Sequence, residues 1–385
     1  MRILIVHTYY QSPGGEDVVF HQEADLLAKT ATVERLSFHN RTSWRGFIQT
    51  ALSIWNFYAG AKLRKAIRKH RPDIIHLHNL HYAIGPIAIR IAKRAGIPVV
   101  MSLHNYRLLC PSANLLYQGK PFTESINAPF PWKAVALGLH SHSIIKTFWL
   151  AWVNWFHRKI STWAMVDRYI VLTDFAKDLF IHSSFGIPAN KFVVKPNFSN
   201  TPVQVKHAKR KSFLFLGRLS EEKGVRILLR AFESNGLPLL IVGDGPLKEE
   251  VLDSCKVNPA ISYLGPLPYE KAQEVLRQSF ALVFPSVCYE GMPLTIIEAF
   301  ANATPVIASN HGAMISMVEP GKNGLLFRAG DPDDLNEKLR YWSALDEKMH
   351  DSYYRQAQAS YQALYTPEKN KNRLLGIYQH VAGKS

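Results

Sequence analysis

The sequence predicts an α/β protein made of two Rossmann-like domains, each with a doubly wound parallel sheet, facing each other across a cleft. Three observations support this. Strand-like apolar runs alternate with helical segments along most of the chain, as in parallel sheets. A polar stretch, NFSNTPVQVKHAKRKS, interrupts the alternation once, and the pattern then restarts. At 385 residues the chain is also too long for one ordinary core.

The first domain is expected to comprise residues 1–200. Its apolar runs predict strands at residues 2–7, 33–38, 73–77, 99–103, 168–172 and 192–195. Helical stretches lie between these runs, for example at residues 17–29 and 57–70. Parallel strands place their carboxyl ends at one edge of a sheet, and ligands of such folds bind there.

The second domain is expected to comprise residues 201–365 and repeats the same plan. Its strands are predicted at residues 212–217, 239–242, 261–264, 280–284, 305–308 and 324–327. The acidic run DPDD could be mistaken for a metal site, but Asp331 followed by Pro332 indicates an N-cap and a first helical residue. A last segment, residues 366–385, is predicted to be a helix that packs back on the first domain.

The charge is distributed unevenly between the two halves. Residues 1–200 hold 24 Lys and Arg against 10 Asp and Glu, whereas the rest holds the remaining 22 of 46 bases and 20 of 30 acids. This excess favours either general solubility or an anionic partner: a membrane surface, a phosphorylated lipid or nucleic acid. Nucleic acid is the weakest of these, since no helix-turn-helix, zinc-finger or RNA-binding motif is present.

Location in the cytoplasm is expected, with peripheral attachment to the inner face of the cell membrane as an option. The three cysteines are widely spaced, which suits a reducing compartment. The N-terminal MRILIVHTYY indicates a first strand rather than a signal peptide, and no apolar run reaches the ~18 residues of a membrane span. The aromatic segment at residues 144–163 is predicted to be a helix, either packed in the core or lying on lipid.

The segment PSVCYEGMPLTIIEAFANATPVIAS carries the strongest chemical signal. A short strand leads through a loop into a helix that is expected to begin at Pro293, so the N–H groups of Leu294 and Thr295 form an anion site. Glu290 precedes this helix and Glu298 lies within it. A phosphate pocket flanked by two carboxylates suits a phosphorylated, polyhydroxylated ligand such as a nucleotide sugar.

The motif GRLSEEKG supplies positive charge for the same ligand. Gly217 at a strand end permits close approach of the backbone, while Arg218 and Lys223 can converge on one diphosphate. A surface arginine with a capping lysine is the alternative. Leu267 lies in another predicted strand-to-helix turn, LGPLP, whose backbone lies where a nucleotide base could sit.

Three features of the first half lie at predicted strand ends. Gly14 and Gly15 follow the first strand and precede a helix, where flexible backbone can approach a ligand. His104 follows a later strand and is expected at the cleft. In HLHNLHY, the spacing of His76, His78 and His81 could ligate a metal, although no acidic or cysteine partner is apparent, which disfavours metal binding.

In this order, the motifs resemble those of family 4 glycosyltransferases, which are retaining enzymes of GT-B architecture (glycosyl transferases group 1). The resemblance runs over nearly the whole chain and includes GRLSEEKG, GDGP and YEGMPLTIIEA. GGEDVVF and HNYRLLCPSANL are similar to a bacterial subset that builds surface polysaccharides or glycolipids. The chain departs at Asn105, where many relatives have Asp, and at Gly312-Ala313, where some have a Gly pair.

The resemblance implies a catalytic role for Arg218, Lys223, Glu290 and His104. The two bases would hold the donor diphosphate, Glu290 the donor sugar, and His104 would lie near the reacting sugar. Glu298 would bind the ribose. The other donor-binding residues would be Gly14, Gly15, Gly217, Leu267, Gly291, Met292, Pro293 and Leu294.

The implied reaction moves a hexose-type sugar from a nucleoside-diphosphate sugar to a glycan or lipid-linked acceptor, bound by the first domain. Neither a metal nor a cofactor is expected, because Arg, Lys and a helix dipole already supply positive charge. Two alternatives are a nucleotide-sugar epimerase of the same fold and a non-catalytic nucleotide-sugar-binding protein.

Overall fold

A computed structural model of the chain describes residues 1–10, 14–41, 43–201 and 210–383. Contacts divide the chain into two compact units. Unit 1 comprises residues 1–114, 122–197 and 368–385, and unit 2 comprises residues 115–121 and 198–367. Most of the polar stretch between the two halves, residues 202–209, lies outside the described residues.

The described residues form fourteen strands, which are β1 (Arg2–Tyr9), β2 (Thr32–His39), β3 (Ile74–Leu77), β4 (Val99–Leu103), β5 (Leu116–Tyr117), β6 (Lys120–Pro121), β7 (Arg168–Val171), β8 (Phe192–Val194), β9 (Ser212–Leu216), β10 (Leu239–Val242), β11 (Ile261–Gly265), β12 (Ser279–Phe284), β13 (Val306–Ser309) and β14 (Gly324–Phe327). The α-helices of the same residues are α1 (Gly15–Ala28), α2 (Ser43–Leu52), α3 (Phe57–His70), α4 (Ile87–Arg94), α5 (Trp132–Ala136), α6 (Ile144–Lys159), α7 (Asp174–Ile181), α8 (Val225–Phe232), α9 (Lys248–Val257), α10 (Tyr269–Arg277), α11 (Leu294–Ala301), α12 (Ala313–Met317), α13 (Pro332–Ser343), α14 (Glu347–Leu364) and α15 (Pro367–Val381).

Each unit contains one six-stranded sheet in which every pair of neighbours is parallel. The strand order is β2-β1-β3-β4-β7-β8 in unit 1 and β11-β10-β9-β12-β13-β14 in unit 2. The central strands are buried on both faces, which explains why they are continuous apolar runs rather than alternating ones. The predicted fold class, two α/β units with parallel sheets, is confirmed.

The core of unit 1 includes the end of the chain. Leu374 and Tyr378 of α15 are fully buried in the same apolar cluster as Ile3 and Ile5 of β1. The Tyr378 hydroxyl also lies 2.7 Å from His76 Nδ1. The last helix is therefore part of the unit 1 core.

Helix α6 has two different faces. Its inner face is buried and includes Leu150, Val153 and His157. Its outer face carries a ladder of half-exposed rings, Phe148, Trp152 and Trp155, with centroids 5.0–6.1 Å apart. The inner face agrees with packing in the core, and contact of the outer face with lipid stays a prediction. The helix ends at Lys159 rather than at residue 163.

Two predicted helix starts can be compared with the structure directly. Asp331 is the N-cap of α13, since its Oδ1 accepts hydrogen bonds of 3.0 Å from the N–H groups of Asp333 and Asp334, which confirms that prediction. The helix expected to begin at Pro293 instead begins at Leu294. Pro293 is extended, with ψ 120°, and serves as the N-cap.

Candidate functional site

In unit 2, two distant sequence motifs meet at the carboxyl ends of β9 and β12, which are neighbours in the sheet. Lys223 Nζ lies 2.6 Å from Glu290 Oε1, and Ser286 Oγ donates a 2.7 Å hydrogen bond to the same oxygen. The side chains of Lys223 and Glu290 are 27% and 14% exposed, so this pair is only partly open to solvent. The structure thus brings together two of the predicted site residues, 67 positions apart.

Backbone packing holds these motifs in contact. The Glu222 carbonyl accepts hydrogen bonds of 3.0 Å from Ser286 Oγ and from the Val287 N–H. Gly224 has φ +71°, and a Cβ added there would lie 1.9 Å from the Pro285 carbonyl oxygen. Only glycine satisfies both the left-handed backbone and this close approach.

A Gly224→Ala substitution should therefore separate the two motifs. We expect it to lower the free energy of unfolding by roughly 3 kcal/mol, because the new Cβ must displace backbone in a left-handed conformation. Gly14→Ala is the matched control: Gly14 has φ −135°, and no described atom lies within 4 Å of its added Cβ. Urea denaturation of both variants checks this, and equal midpoints would contradict it.

The ion pair is charged on both sides at neutral pH. Burial alone would raise the pKa of Glu290, but the charge and hydrogen bond of Lys223 outweigh it and lower the pKa. Burial likewise opposes the charge on Lys223, yet Glu290 raises its pKa. An anionic ligand that binds the Lys223 ammonium must therefore compete with the Glu290 carboxylate for it, or share it with that carboxylate.

Arg218 follows β9 and opens the loop that leads to Lys223. Its side chain is exposed at the end of β9 and has no ion-pair or hydrogen-bond partner among the described residues. Gly217 precedes it, and a Cβ at Gly243 would come within 1.8 Å of the Gly217 carbonyl oxygen. This tight contact between the two strand ends fixes the backbone from which Arg218 projects.

Helix α11 presents its N-terminus at the same edge of the sheet. Its N-cap, Pro293, makes no side-chain capping hydrogen bond. The first N–H groups of a helix have no partner within the helix, so this end carries a partial positive charge. The half-buried Gly291 and the buried Met292 lead into the helix.

Glu298 lies in the second turn of α11. Burial raises its pKa to about 7. Leu267, half-buried, follows β11 at the same edge of the sheet. A helix terminus, two bases and two carboxylates thus share the carboxyl edge of one sheet.

Gly14, Gly15 and His104 belong to unit 1. Gly14 caps α1, and its N–H donates to Asp17 Oδ2 at 2.8 Å, while Asp17 Oδ1 lies 2.6 Å from His7 Nε2. Helix α1 begins at Gly15 rather than at residue 17. Neither glycine has a positive φ or a described neighbour that a Cβ would meet, so packing does not require glycine there.

A carboxylate that the sequence analysis passed over lies beside these glycines. Glu16 accepts hydrogen bonds from the amide groups of Asn79 (3.2 Å) and Asn105 (3.4 Å), and burial raises its pKa to about 7. Arg107 and Tyr10 complete this cluster. An aspartate at position 105 would place a second carboxylate against Glu16, which gives the departure at Asn105 a physical reason. The position of Glu16, directly after the glycine pair, was the available signal.

Three histidines of unit 1, His76, His78 and His104, lie in or directly after β3 and β4. Burial lowers the pKa of His104 to about 3 and that of His78 well below its usual value. His76 and His78 have an acidic neighbour after all, Glu23, with possible ligand atoms within 4.8 Å of one another. Glu23 lies on α1, far from HLHNLHY in the chain, so the spacing of that motif could not indicate it.

Two units, each with a six-stranded parallel sheet, define a class, the two-domain Rossmann-like proteins. Within it, two family models match almost the whole chain: "Glycosyltransferase Family 4" over residues 16–201 and "Glycosyl transferases group 1" over residues 198–359. The chain belongs to the family 4 glycosyltransferases, as the motifs predicted.

Curated relatives point the same way. The chain is 30% identical over 158 residues to the D-rhamnosyltransferase WbpZ of Pseudomonas aeruginosa, covering 40% of this chain and 41% of that protein. It is 27% identical over 284 residues to the alpha-monoglucosyldiacylglycerol synthase of Acholeplasma laidlawii, covering 69% and 66%. The chain thus spans less than two thirds of the length of these relatives. It also matches 43% of the length of an uncharacterized glycosyltransferase of Methanocaldococcus jannaschii, MJ1178.

A solved structure shares the fold over the full length. Anabaena Alr3699/HepE, crystallised in complex with UDP, matches with a TM-score of 0.69 at 17% identity, covering 99% of this chain and 100% of that one. The fold is therefore that of the GT-B glycosyltransferases.

Proposed function

We propose that this protein transfers a hexose-type sugar from a nucleoside-diphosphate sugar to a glycan or lipid-linked acceptor, with retention of configuration and without a metal. The Lys223–Glu290 pair carries the proposal, supported by Arg218 after β9 and by the start of α11 at the same sheet edge. It combines cations for a diphosphate with a carboxylate for sugar hydroxyls. HepE, a protein of the same fold, has been crystallised with UDP-glucose, which supports a donor of this class.

The bond to be broken joins the anomeric carbon to a phosphate oxygen. As it breaks, positive charge grows on the sugar and negative charge on the departing diphosphate. Arg218, Lys223 and the N-terminus of α11 stabilise that negative charge, so no divalent ion is needed. The acceptor oxygen attacks from the face that the diphosphate leaves, and its proton passes to the leaving phosphate. Two inversions through a covalent adduct are the other route to retention, and trapping such an adduct would refute same-face attack.

Incubation with nucleotide sugars and candidate acceptors tests this proposal. We expect release of nucleoside diphosphate only when an acceptor is present, a product with the anomeric configuration of the donor by NMR, and full activity in EDTA. An epimer formed from donor alone would indicate the epimerase instead. Binding without turnover of any donor would indicate a non-catalytic protein.

The acceptor is proposed to be bound by unit 1 at a membrane surface. Exposed apolar side chains stand on α2, α5 and α6, namely Phe47 (75%), Trp132 (64%) and Ile145 (79%). Helix α6 is tied to α2 by a hydrogen bond of 2.5 Å from Trp149 Nε1 to the Thr50 carbonyl. Exposed aromatic and aliphatic groups in a half of the chain with excess positive charge suit an anionic lipid interface. Within the described residues, no helix is long and apolar enough to cross a bilayer.

Flotation with vesicles that contain phosphatidylglycerol should detect this surface. We expect binding at low salt that weakens at high salt, and a loss of several-fold for Ile145→Asp without loss of stability. Val257→Asp, an equally exposed site (83%) in unit 2, is the control and should float like the unmodified protein. Equal flotation of the two variants would show that Ile145 does not contact the membrane and would contradict the proposed surface.

A further inference from the structure

A chain of buried polar side chains runs behind His104 in unit 1. Lys195 Nζ lies 2.5 Å from Glu23 Oε1, and both side chains are 1% exposed. Glu23 Oε2 faces His78 Nε2 at 3.5 Å. His78 Nδ1 in turn lies 3.1 Å from His104 Nε2. Four residues from α1, the end of β8 and the ends of β3 and β4 thus form one line that ends at a predicted substrate contact.

The cluster of Glu23, His76 and His78 is not built for a metal. The Lys195 ammonium already occupies Glu23 Oε1. Both nitrogens of His76 are engaged, Nδ1 with the Tyr378 hydroxyl at 2.7 Å and Nε2 with Ser102 Oγ at 2.9 Å. No lone pair of His76 is left for an ion without breaking one of these bonds.

Counting protons along the line leaves one arrangement. Glu23, paired with an ammonium, is a carboxylate and can only accept. Glu23 Oε2 and His78 Nε2 are buried and have no hydrogen-bond partner among the described residues, and each faces the other at 3.5 Å. His78 Nε2 therefore carries the proton. A neutral His78 then has a lone pair on Nδ1, so His104 must donate from Nε2.

We propose that Glu23 and His78 are positioning residues that hold His104 as the neutral Nε2–H tautomer, leaving its Nδ1 as a hydrogen-bond acceptor for a substrate hydroxyl. Burial also keeps the pKa of both histidines below the physiological range, which agrees with two neutral rings. The substrate part of this inference rests on the proposed function. A neutral acceptor beside the sugar avoids placing an imidazolium against the positive charge that develops there.

The isosteric change Glu23→Gln should reverse the direction of each hydrogen bond along the line from residue 23 through His78 to His104. Lys195 retains the amide oxygen, so the amide NH₂ faces His78 Nε2 as a donor. His78 then carries its proton on Nδ1, and His104 must accept at Nε2 and carry its proton on Nδ1. The substrate-facing nitrogen changes from acceptor to donor, although no ring has moved.

¹⁵N-histidine NMR reads this tautomer without any substrate. The His104 signals are assigned by their loss in His104→Gln. We expect the Nε2–H pattern in the unmodified protein and the Nδ1–H pattern in Glu23→Gln, together with a fall in kcat of about tenfold or more at unchanged donor Kd. Because Glu23→Gln leaves Lys195 buried without a counter-charge, its fold is checked by thermal unfolding, and the Nε2–H pattern of the unmodified protein is a second test that needs no variant. Asp25→Asn, on the exposed face of the same helix, is the control and should change neither tautomer nor kcat.

An Nδ1–H pattern at His104 in the unmodified protein, or the same pattern in the unmodified protein and in Glu23→Gln, would overturn the proposal. So would a fall in kcat for Glu23→Gln with no change of tautomer, since that indicates a structural role only. If the tautomers behave as expected but no sugar is transferred, the control of the His104 tautomer by Glu23 and His78 is confirmed and the proposed function is wrong.

Discussion

Replacing Lys223 with alanine is expected to lower kcat by about 100- to 1,000-fold while donor affinity falls much less. The leaving diphosphate gains negative charge in the transition state, so a cation aimed at it stabilises that state more than the bound donor. In the free protein Lys223 already neutralises Glu290 at 2.6 Å, which holds the ammonium group in place before the reaction. The position is thus preorganised by the contact between GRLSEEKG and PSVCYEG.

Steady-state kinetics and calorimetric titration of the donor separate the two effects. Lys256→Ala is the matched control, since it removes a lysine that pairs with an exposed carboxylate of the same unit, Asp253, at 2.8 Å. Lys223→Ala leaves Glu290 without its partner, so thermal unfolding of this variant checks that the fall in kcat is not a loss of fold. A donor Kd that rises as much as kcat falls in Lys223→Ala would assign the lysine to binding alone.

The second large effect concerns Glu298 and pH. Burial raises its pKa to about 7 in the free protein. Ribose hydroxyls donate to a carboxylate and so favour its charged form, which lowers the pKa when donor binds. Donor affinity should therefore be full above about pH 8 and weaken by up to about tenfold per pH unit below pH 7, with release of a proton on binding. Glu298→Ala should bind donor about 10- to 100-fold more weakly.

Calorimetry with an intact nucleotide sugar measures this directly, because its diphosphate has no proton to lose between pH 6 and 8. Buffers of different ionisation enthalpy report the released proton. Glu16 also has a pKa of about 7, so Glu16→Gln is the control and should keep the dependence. A donor Kd that is constant from pH 6 to 8, or unchanged in Glu298→Ala, would contradict the ribose role.

The fold could be predicted from the sequence because the signals for single strands and helices lie within short stretches of the chain. The continuous apolar run 99–103 was enough to predict a buried strand, and Asp331 followed by Pro332 caps a helix through its own neighbours. Helix boundaries were less certain. Pro293 adopts an extended backbone and serves as the N-cap, so the helix begins one residue later than expected.

Contacts between distant residues could not be predicted in the same way. The Lys223–Glu290 pair joins residues 67 positions apart, and the Lys195–Glu23 pair joins residues 172 apart. Each depends on how the parallel strands order themselves, which no single motif encodes. The metal interpretation of HLHNLHY could be weighed only once the bonds of His76 were visible.

Thermal unfolding in the presence of nucleoside diphosphates tests the central claim most directly, because it needs neither acceptor nor sugar. We expect one base to raise the unfolding temperature clearly at saturating ligand, since binding at 100 times Kd adds about 2.7 kcal/mol to stability. The shift should be smaller in the Lys223→Met, Glu290→Gln double variant and unchanged in Lys256→Ala. If no nucleoside diphosphate stabilises the protein, or if the double variant is stabilised as much as the unmodified protein, the edge of the unit 2 sheet is not a nucleotide-sugar site.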